Sequence, residues 1–112
     1  IVARPASREE GSRMDTILVR AEPKFADLIP VFLQNCRKNV IAMLDALDRG
    51  DFETVEILGH GMRGAGGSYG FHAITDIGAA LEQAAESADT DASRKWVGEL
   101  SRYLDRVEII SD

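Results

Sequence analysis

Little in these 112 residues suits a β-sandwich, a disulfide scaffold, a nucleic-acid binder or a membrane span. Three prolines and 6% aromatic residues are a thin supply for sandwich turns and cores, whereas the balance of Ala, Leu, Ile, Glu and Arg favours helix. A single cysteine, Cys36, excludes an intrachain disulfide. It falls within an apolar repeat, so it reads as a small buried residue, and a reducing compartment is the simplest expectation. Thirteen Lys and Arg stand against nineteen Asp and Glu, a net charge of −6, with no dense basic stripe. Nucleic-acid binding needs clustered cations to displace counterions, and an anionic membrane surface needs the same. No apolar run reaches the length of a membrane span, and no signal-peptide pattern opens the sequence. A cytoplasmic protein is expected.

What is present is sufficient for one small domain with a single core. Residues 1–13, IVARPASREEGSR, are polar and aperiodic and read as a linker or a remnant of cloning. The first Met is Met14, and the domain is expected over 14–112. Residues 16–20, TILVR, suit a short extended segment lying on the core. From Pro23 onward the apolar spacing is helical: Ile29, Phe32, Leu33, Cys36, Val40, Met43, Leu44 and Leu47 recur at three and four, with a kink or break expected at Pro30. Gly50 is placed to stop this helix in the left-handed conformation and Asp51 to cap the next. That second helix carries Phe52, Val55, Gly59, Met62 and Gly66. A third runs from about Phe71 to Ser87 on Ile74, Ile77, Gly78, Leu81, Ala84 and Ala85. Asp89 to Asp91 form a capped turn, and a fourth helix carries Trp96, Val97, Leu100, Tyr103, Leu104 and Val107. With no convincing strand pair and short connections, the expected fold is all-α. It is an up-down antiparallel four-helix bundle with a flexible or extended N-terminal segment.

The most unusual stretch is GHGMRGAGGSYG, residues 59–70, which holds six of the ten glycines. Its first half spells G-x-G-x-x-G, the fingerprint of a dinucleotide loop. That motif needs a strand before it, a helix opening at its last glycine and a second β-α unit after it. The preceding DFETVEIL instead spaces its apolar residues as a helix does, and no G-K-[ST] follows for a Walker loop. On a helix of about 100° per residue, Val55, Leu58, Gly59, Met62, Ala65 and Gly66 share one arc, and His60 lies roughly 160° from its centre. His60 therefore points to solvent, beside Glu53, Glu56, Ile57, Arg63, Gly64 and Gly67. Gly59 and Gly66 face inward, where a missing side chain admits another helix. Gly64 and Gly67 face outward, and a glycine in a helix interior costs about 1 kcal/mol relative to Ala. An exposed face gains nothing in folding from that cost, so clearance for a partner approaching the histidine is the expected reason. An exposed imidazole titrates near ~6.5 and is substantially neutral and nucleophilic at cytoplasmic pH. Histidine can carry a covalent intermediate, and a phosphoryl group on it would sit next to the Arg63 guanidinium. Phosphoryl transfer rests mainly on positioning and charge stabilisation, so a nucleophile and a cation suffice on this side.

These residues resemble the histidine-containing phosphotransfer (HPt) domain of multistep phosphorelays. That family's pattern, roughly H-x-L-K-G-[SA]-[SA]-x-x-x-G, is matched by His60, Met62, Arg63, Gly64, Ala65, Gly66 and Gly70. Gly78, Leu81, Glu82, Ala84 and Ala85 match the small and L-E positions of the next helix. Gly50-Asp51-Phe52, Leu28-Ile29-Pro30 and Phe32-Leu33 match upstream, so the likeness spans roughly 14–110. It implies that His60 is the phosphoacceptor, that Arg63 stabilises phosphate in place of the usual Lys, and that Gly64 belongs to the docking surface. It also implies exchange with the aspartate of a response-regulator receiver domain, which supplies Mg2+, or with a hybrid sensor histidine kinase. The domain itself is expected to need no cofactor, to act as a monomer and to lack kinase activity. Arg63 is bulkier and planar, so its phosphate contacts differ from those of Lys. Met62 for Leu is a mild core change.

Glu56, Ile57, Gly64 and Gly67 are the candidate docking residues; Ile57 reads equally as a rim residue. His72 opens the third helix, where a cation opposes the helix dipole, and reads as incidental. Glu82 reads as a helix-surface or packing-edge residue. Glu53, Glu56 and His60 share a face, but di-iron bundles draw inward-facing ligands from several helices, so no metal site is expected. Two alternatives stay open: an HPt-like bundle that docks without transfer, and a nucleotide- or metal-dependent enzyme.

Overall fold

The computed structural model describes residues 16–111. The segment 1–13, read above as a linker, lies outside the described residues. The chain runs β1 (Ile17–Ala21), a 3-10 turn (Pro23–Phe25), α1 (Ile29–Asp48), α2 (Phe52–Gly66), a second 3-10 turn (Gly67–Tyr69), α3 (His72–Glu86), α4 (Thr90–Arg106) and β2 (Val107–Ser111). The four helices have the expected order, and their ends follow the local chemistry. Pro30 sits in the first turn of α1, where its missing N–H is no loss. Gly50 takes φ 71°, and the Asp51 carboxylate accepts the Thr54 N–H at 3.1 Å to cap α2. Asp89 caps α4 by accepting the Ala92 N–H at 3.0 Å.

One expectation is corrected. The chain does contain a strand pair: β1 and β2 form a two-stranded parallel sheet in the register Ile17↔Val107 to Ala21↔Ser111. The TILVR segment is extended as expected, but Val107 leaves α4 for extended backbone and starts β2. A parallel pair needs a long crossover, and here the whole bundle supplies it. No local pattern announces a partner 90 positions away. Ile17 and Val19 turn towards the core while Leu18 is exposed, the alternation of a half-buried strand.

The core is filled by Met43, Val55, Phe71, Ile74, Leu81 and Leu100, with Cys36 buried among them. Burial pushes the Cys36 thiol up to about 11, so it is protonated and inert at neutral pH. Tyr103 is buried; Phe32, Phe52 and Trp96 are half-buried at the edge of the core. Leu44, assigned to the core stripe of α1, is instead exposed, because Met43 and Leu47 already fill the inward face.

The most extensive helix contact is between α2 and α3, and glycine makes it possible. A Cβ on Gly78 would lie 2.6 Å from the Arg63 nitrogen and 2.7 Å from the Gly59 oxygen. One on Gly59 would lie 3.0 Å from the Glu82 nitrogen, and one on Gly66 2.8 Å from the Thr75 nitrogen. The two backbones touch, so residue 60 on α2 and residue 82 on α3 are held at a fixed spacing.

Candidate functional site

His60 projects from the middle of α2 with its side chain 67% exposed, as the helical wheel requires. The neighbour that matters most comes from α3. The Glu82 carboxylate accepts from His60 Nδ1 at 2.9 Å through Oε2 and from Arg63 Nη1 at 2.8 Å through Oε1. Its own side chain is only 15% exposed. A carboxylate acceptor requires the proton on Nδ1, which in the neutral ring leaves the lone pair on Nε2. One acid thus orients the ring and holds the guanidinium beside it.

Arg63 is anchored from its main chain as well: Thr75 Oγ1 donates to the Arg63 carbonyl at 3.1 Å. The half-exposed guanidinium keeps donors beyond the one given to Glu82. Gly64 and Gly61 are open. A Cβ on either would meet nothing within 4 Å, so packing does not demand glycine there. Gly67 differs from the wheel's placement. The α-helix ends at Gly66, and Gly67 begins the 3-10 turn, half-buried, where a Cβ would lie 3.4 Å from Thr75 Oγ1. Phe25, Phe32, Phe71 and Tyr69 pack around that turn, with the Phe32 and Tyr69 rings 4.9 Å apart.

Two flanks border His60. On the α1 side, Ile57 is 62% exposed and lines a groove of about 190 Å³ with Phe32, Asn35, Asn39, Gly61 and Ala65. On the α3 side, oxygens of Glu56, Glu82 and Glu86 lie within 4.8 Å of one another. The hydrogen bond to Glu86 and repulsion from Glu86, Glu82 and Glu53 push the Glu56 carboxyl above its ordinary range. Glu56 thus turns to Glu86 rather than joining Glu53 and His60 as a ligand set. His72, the other histidine, is exposed at the start of α3, with Nδ1 3.8 Å from where a Gly67 Cβ would sit.

Sequence reasoning brought His60 and Arg63 together but treated Glu82 as an edge residue. The signal was available. Gly78 and Leu81 face α2 across the glycine contact, so the next position is carried towards the flank of His60. A solvent-side helical wheel of α2 alone cannot see a residue that arrives from α3.

A four-helix bundle that exposes one oriented imidazole beside a guanidinium is a phosphocarrier geometry. The family model of the Hpt domain matches residues 27–109, and the chain belongs to that family. Hpt domains perform histidine phosphotransfer in phosphorelays as carriers rather than autonomous kinases. Comparison with curated proteins and with solved structures gives no match. Among the described residues no helix is long and apolar enough to cross a membrane.

Proposed function

We propose that His60 is the phosphoacceptor and that it exchanges its phosphoryl group with the aspartate of a response-regulator receiver domain or of a hybrid sensor kinase. The observation that carries this reading is the bond between His60 Nδ1 and Glu82, which frees Nε2 on an exposed ring next to Arg63. Nε2 attacks the phosphorus of the aspartyl phosphate in line, and the carboxylate leaves. Arg63 offsets charge on the phosphoryl oxygens. Mg2+ is the receiver's contribution, and this domain supplies no cofactor.

The docking surface comprises Glu56, Ile57, Gly64 and Gly67. Ile57 and the adjoining groove offer an apolar contact, and the open Gly64 lets the partner's loops approach the ring. The domain, residues 14–112, works as a monomer in the cytoplasm. Docking without transfer is the rival reading. A receiver charged with a small labelled phosphodonor separates the two. Acid-labile, base-stable label is expected on this chain and is expected to vanish in His60→Gln. Binding without label on the unaltered chain would favour the rival.

A further inference from the structure

The exposed face of α1 reverses its charge about a central apolar pair. Arg37 and Lys38 precede Ile41 on it, and Asp45 and Asp48 follow Leu44, all six exposed. Ile41, 71% exposed, is the most exposed large apolar side chain among the described residues, and Leu44 beside it is 39% exposed. One exposed Ile is ordinary; the order of charge around this one is what selects a partner. Positions 37, 41, 44 and 48 have the spacing of a helix-pairing seam, and Arg37 and Asp48 stand equally far from its midpoint. The α4 helix runs alongside in the opposite sense: Arg94 donates to Asp48 at 2.8 Å, and Arg37 Nη2 donates to the Leu104 carbonyl at 3.3 Å. Between those two ties, one turn after Arg94, lies Gly98. A Cβ there would meet only the Arg102 guanidinium, at 3.6 Å, so packing within the chain does not demand glycine. Asn35 and Asn39, the α1 residues that line the groove beside His60, point about 170° away from Ile41 and Leu44.

We propose that this face seats a second copy of the chain, antiparallel across a two-fold axis that passes between Ile41 and Leu44. A two-fold contact sets one patch against the same patch, so it forms only where the patch is self-complementary. This one is. Turning one copy end to end lays Ile41 against the partner's Leu44, Arg37 against the partner's Asp48 and Lys38 beside the partner's Asp45. A parallel pairing would set like charges together. Asp48 and Asp45 already accept from Arg94 and Arg49 at 2.8 and 3.0 Å, yet their side chains stay 71% and 68% exposed. An ionised carboxylate has acceptor sites to spare for a second cation. The bare backbone at Gly98 gives the incoming helix room along the α4 edge. From residue 37 to 48 the face is about 16 Å long. With the α4 edge it offers on the order of 400 Å² per copy, about half of what one partner buries in a standard stable interface. The pairing is therefore weak and grows with concentration, and its charges set geometry more than affinity. One copy suffices for the transfer proposed above, and the pairing does not depend on His60 being the phosphoacceptor. Both imidazoles remain open on the far sides, so a pair of carriers can engage two receivers at once.

Sedimentation of the full chain over a concentration series is the first measurement. Its average mass is expected to rise towards twice that of one chain in the high-micromolar range. Added salt should reverse the rise, because the screening length falls from about 10 Å at 0.1 M to about 3 Å at 1 M. Two double variants then test the charge order. Arg37→Glu with Lys38→Glu makes both ends of the face acidic, and Asp45→Lys with Asp48→Lys makes both ends basic. All four side chains are exposed, and circular dichroism checks that each variant folds. Either variant alone should self-associate about tenfold more weakly than the unaltered chain, or not at all. Mixed one to one, the two should pair about as well as the unaltered chain does, a rescue that damage to the fold cannot produce. A chain that stays monomeric at every concentration overturns the inference and leaves the face to a helix of another protein. Self-association that persists undiminished in each variant alone overturns it as well, because the contact then lies elsewhere. So does failure of the mixture to pair under conditions where the unaltered chain does.

Discussion

Two glycine substitutions on the same helix pair should move stability in opposite directions. Gly78→Ala puts a methyl group 2.6 Å from the Arg63 nitrogen and 2.7 Å from the Gly59 oxygen, both backbone atoms that no rotamer change can move aside. Ordinary contact requires α2 and α3 to separate by on the order of 1 Å, and a gap of that size forfeits a quarter to a half of each dispersion contact across it. Overpacking of this kind costs about 1–3 kcal/mol or more, against which Ala returns about 1 kcal/mol of helix propensity. With backbone on both sides the upper end applies, and a net loss of about 2 kcal/mol is expected. Gly64→Ala meets nothing within 4 Å. It should gain about 0.5–1 kcal/mol from propensity alone. Thermal and urea unfolding followed by circular dichroism should therefore separate the variants by roughly 10 °C, with the parent between them. The reasoning is refuted if Gly78→Ala melts at or above the parent. The pair also divides folding from docking, because Gly64→Ala should slow phosphate exchange with the receiver although it is the more stable protein.

Further outcomes follow from the charges and caps. The Glu56 carboxyl is pushed above its ordinary range by Glu86, Glu82 and Glu53, so the native state holds that proton more tightly than the unfolded chain. Ionisation as pH rises past the usual carboxylate range then works against folding. Glu56→Gln should raise the melting temperature at pH 7, with the gain fading towards pH 4; a gain equal at both pH values would contradict the cause given. The Asp51 carboxyl is lowered by its bonds from Thr54, the opposite sign, so its contribution is present above about pH 4 and is lost in stronger acid. Asp89→Ala removes the acceptor for the Ala92 N–H and should destabilise the domain by about 1 kcal/mol, read from urea midpoints at constant slope.

The helices were legible because each has a period, a cap and a stop in its own sequence. Ile74, Ile77, Gly78 and Leu81 mark the inward stripe of α3, and Gly50-Asp51 marks the α1–α2 junction. The inward role of Gly59 and Gly66 was legible for the same reason. What escaped was non-local. Ile17–Ala21 pairs with Val107–Ser111 only because the bundle returns the chain to its start. Glu82 meets His60 only because three glycines let α2 and α3 touch. Gly67 left the helical wheel because α2 stops one residue earlier. In the candidate site, His60 and Arg63 share one helix and were readable together, whereas the acid bonded to both belongs to the next.

The chain contains two histidines, His60 and His72, which makes the central claim open to one mapping experiment. The domain is phosphorylated from a receiver, digested near neutral pH and sequenced by electron-transfer mass spectrometry, with phosphorus NMR on the intact protein to distinguish the two ring nitrogens. Phosphate on Nε2 of His60, with His72 unmodified, is the predicted result. Phosphate on His72, or on Nδ1 of His60, would contradict the account, because the first lacks the Glu82–Arg63 clamp and the second is the nitrogen that Glu82 occupies.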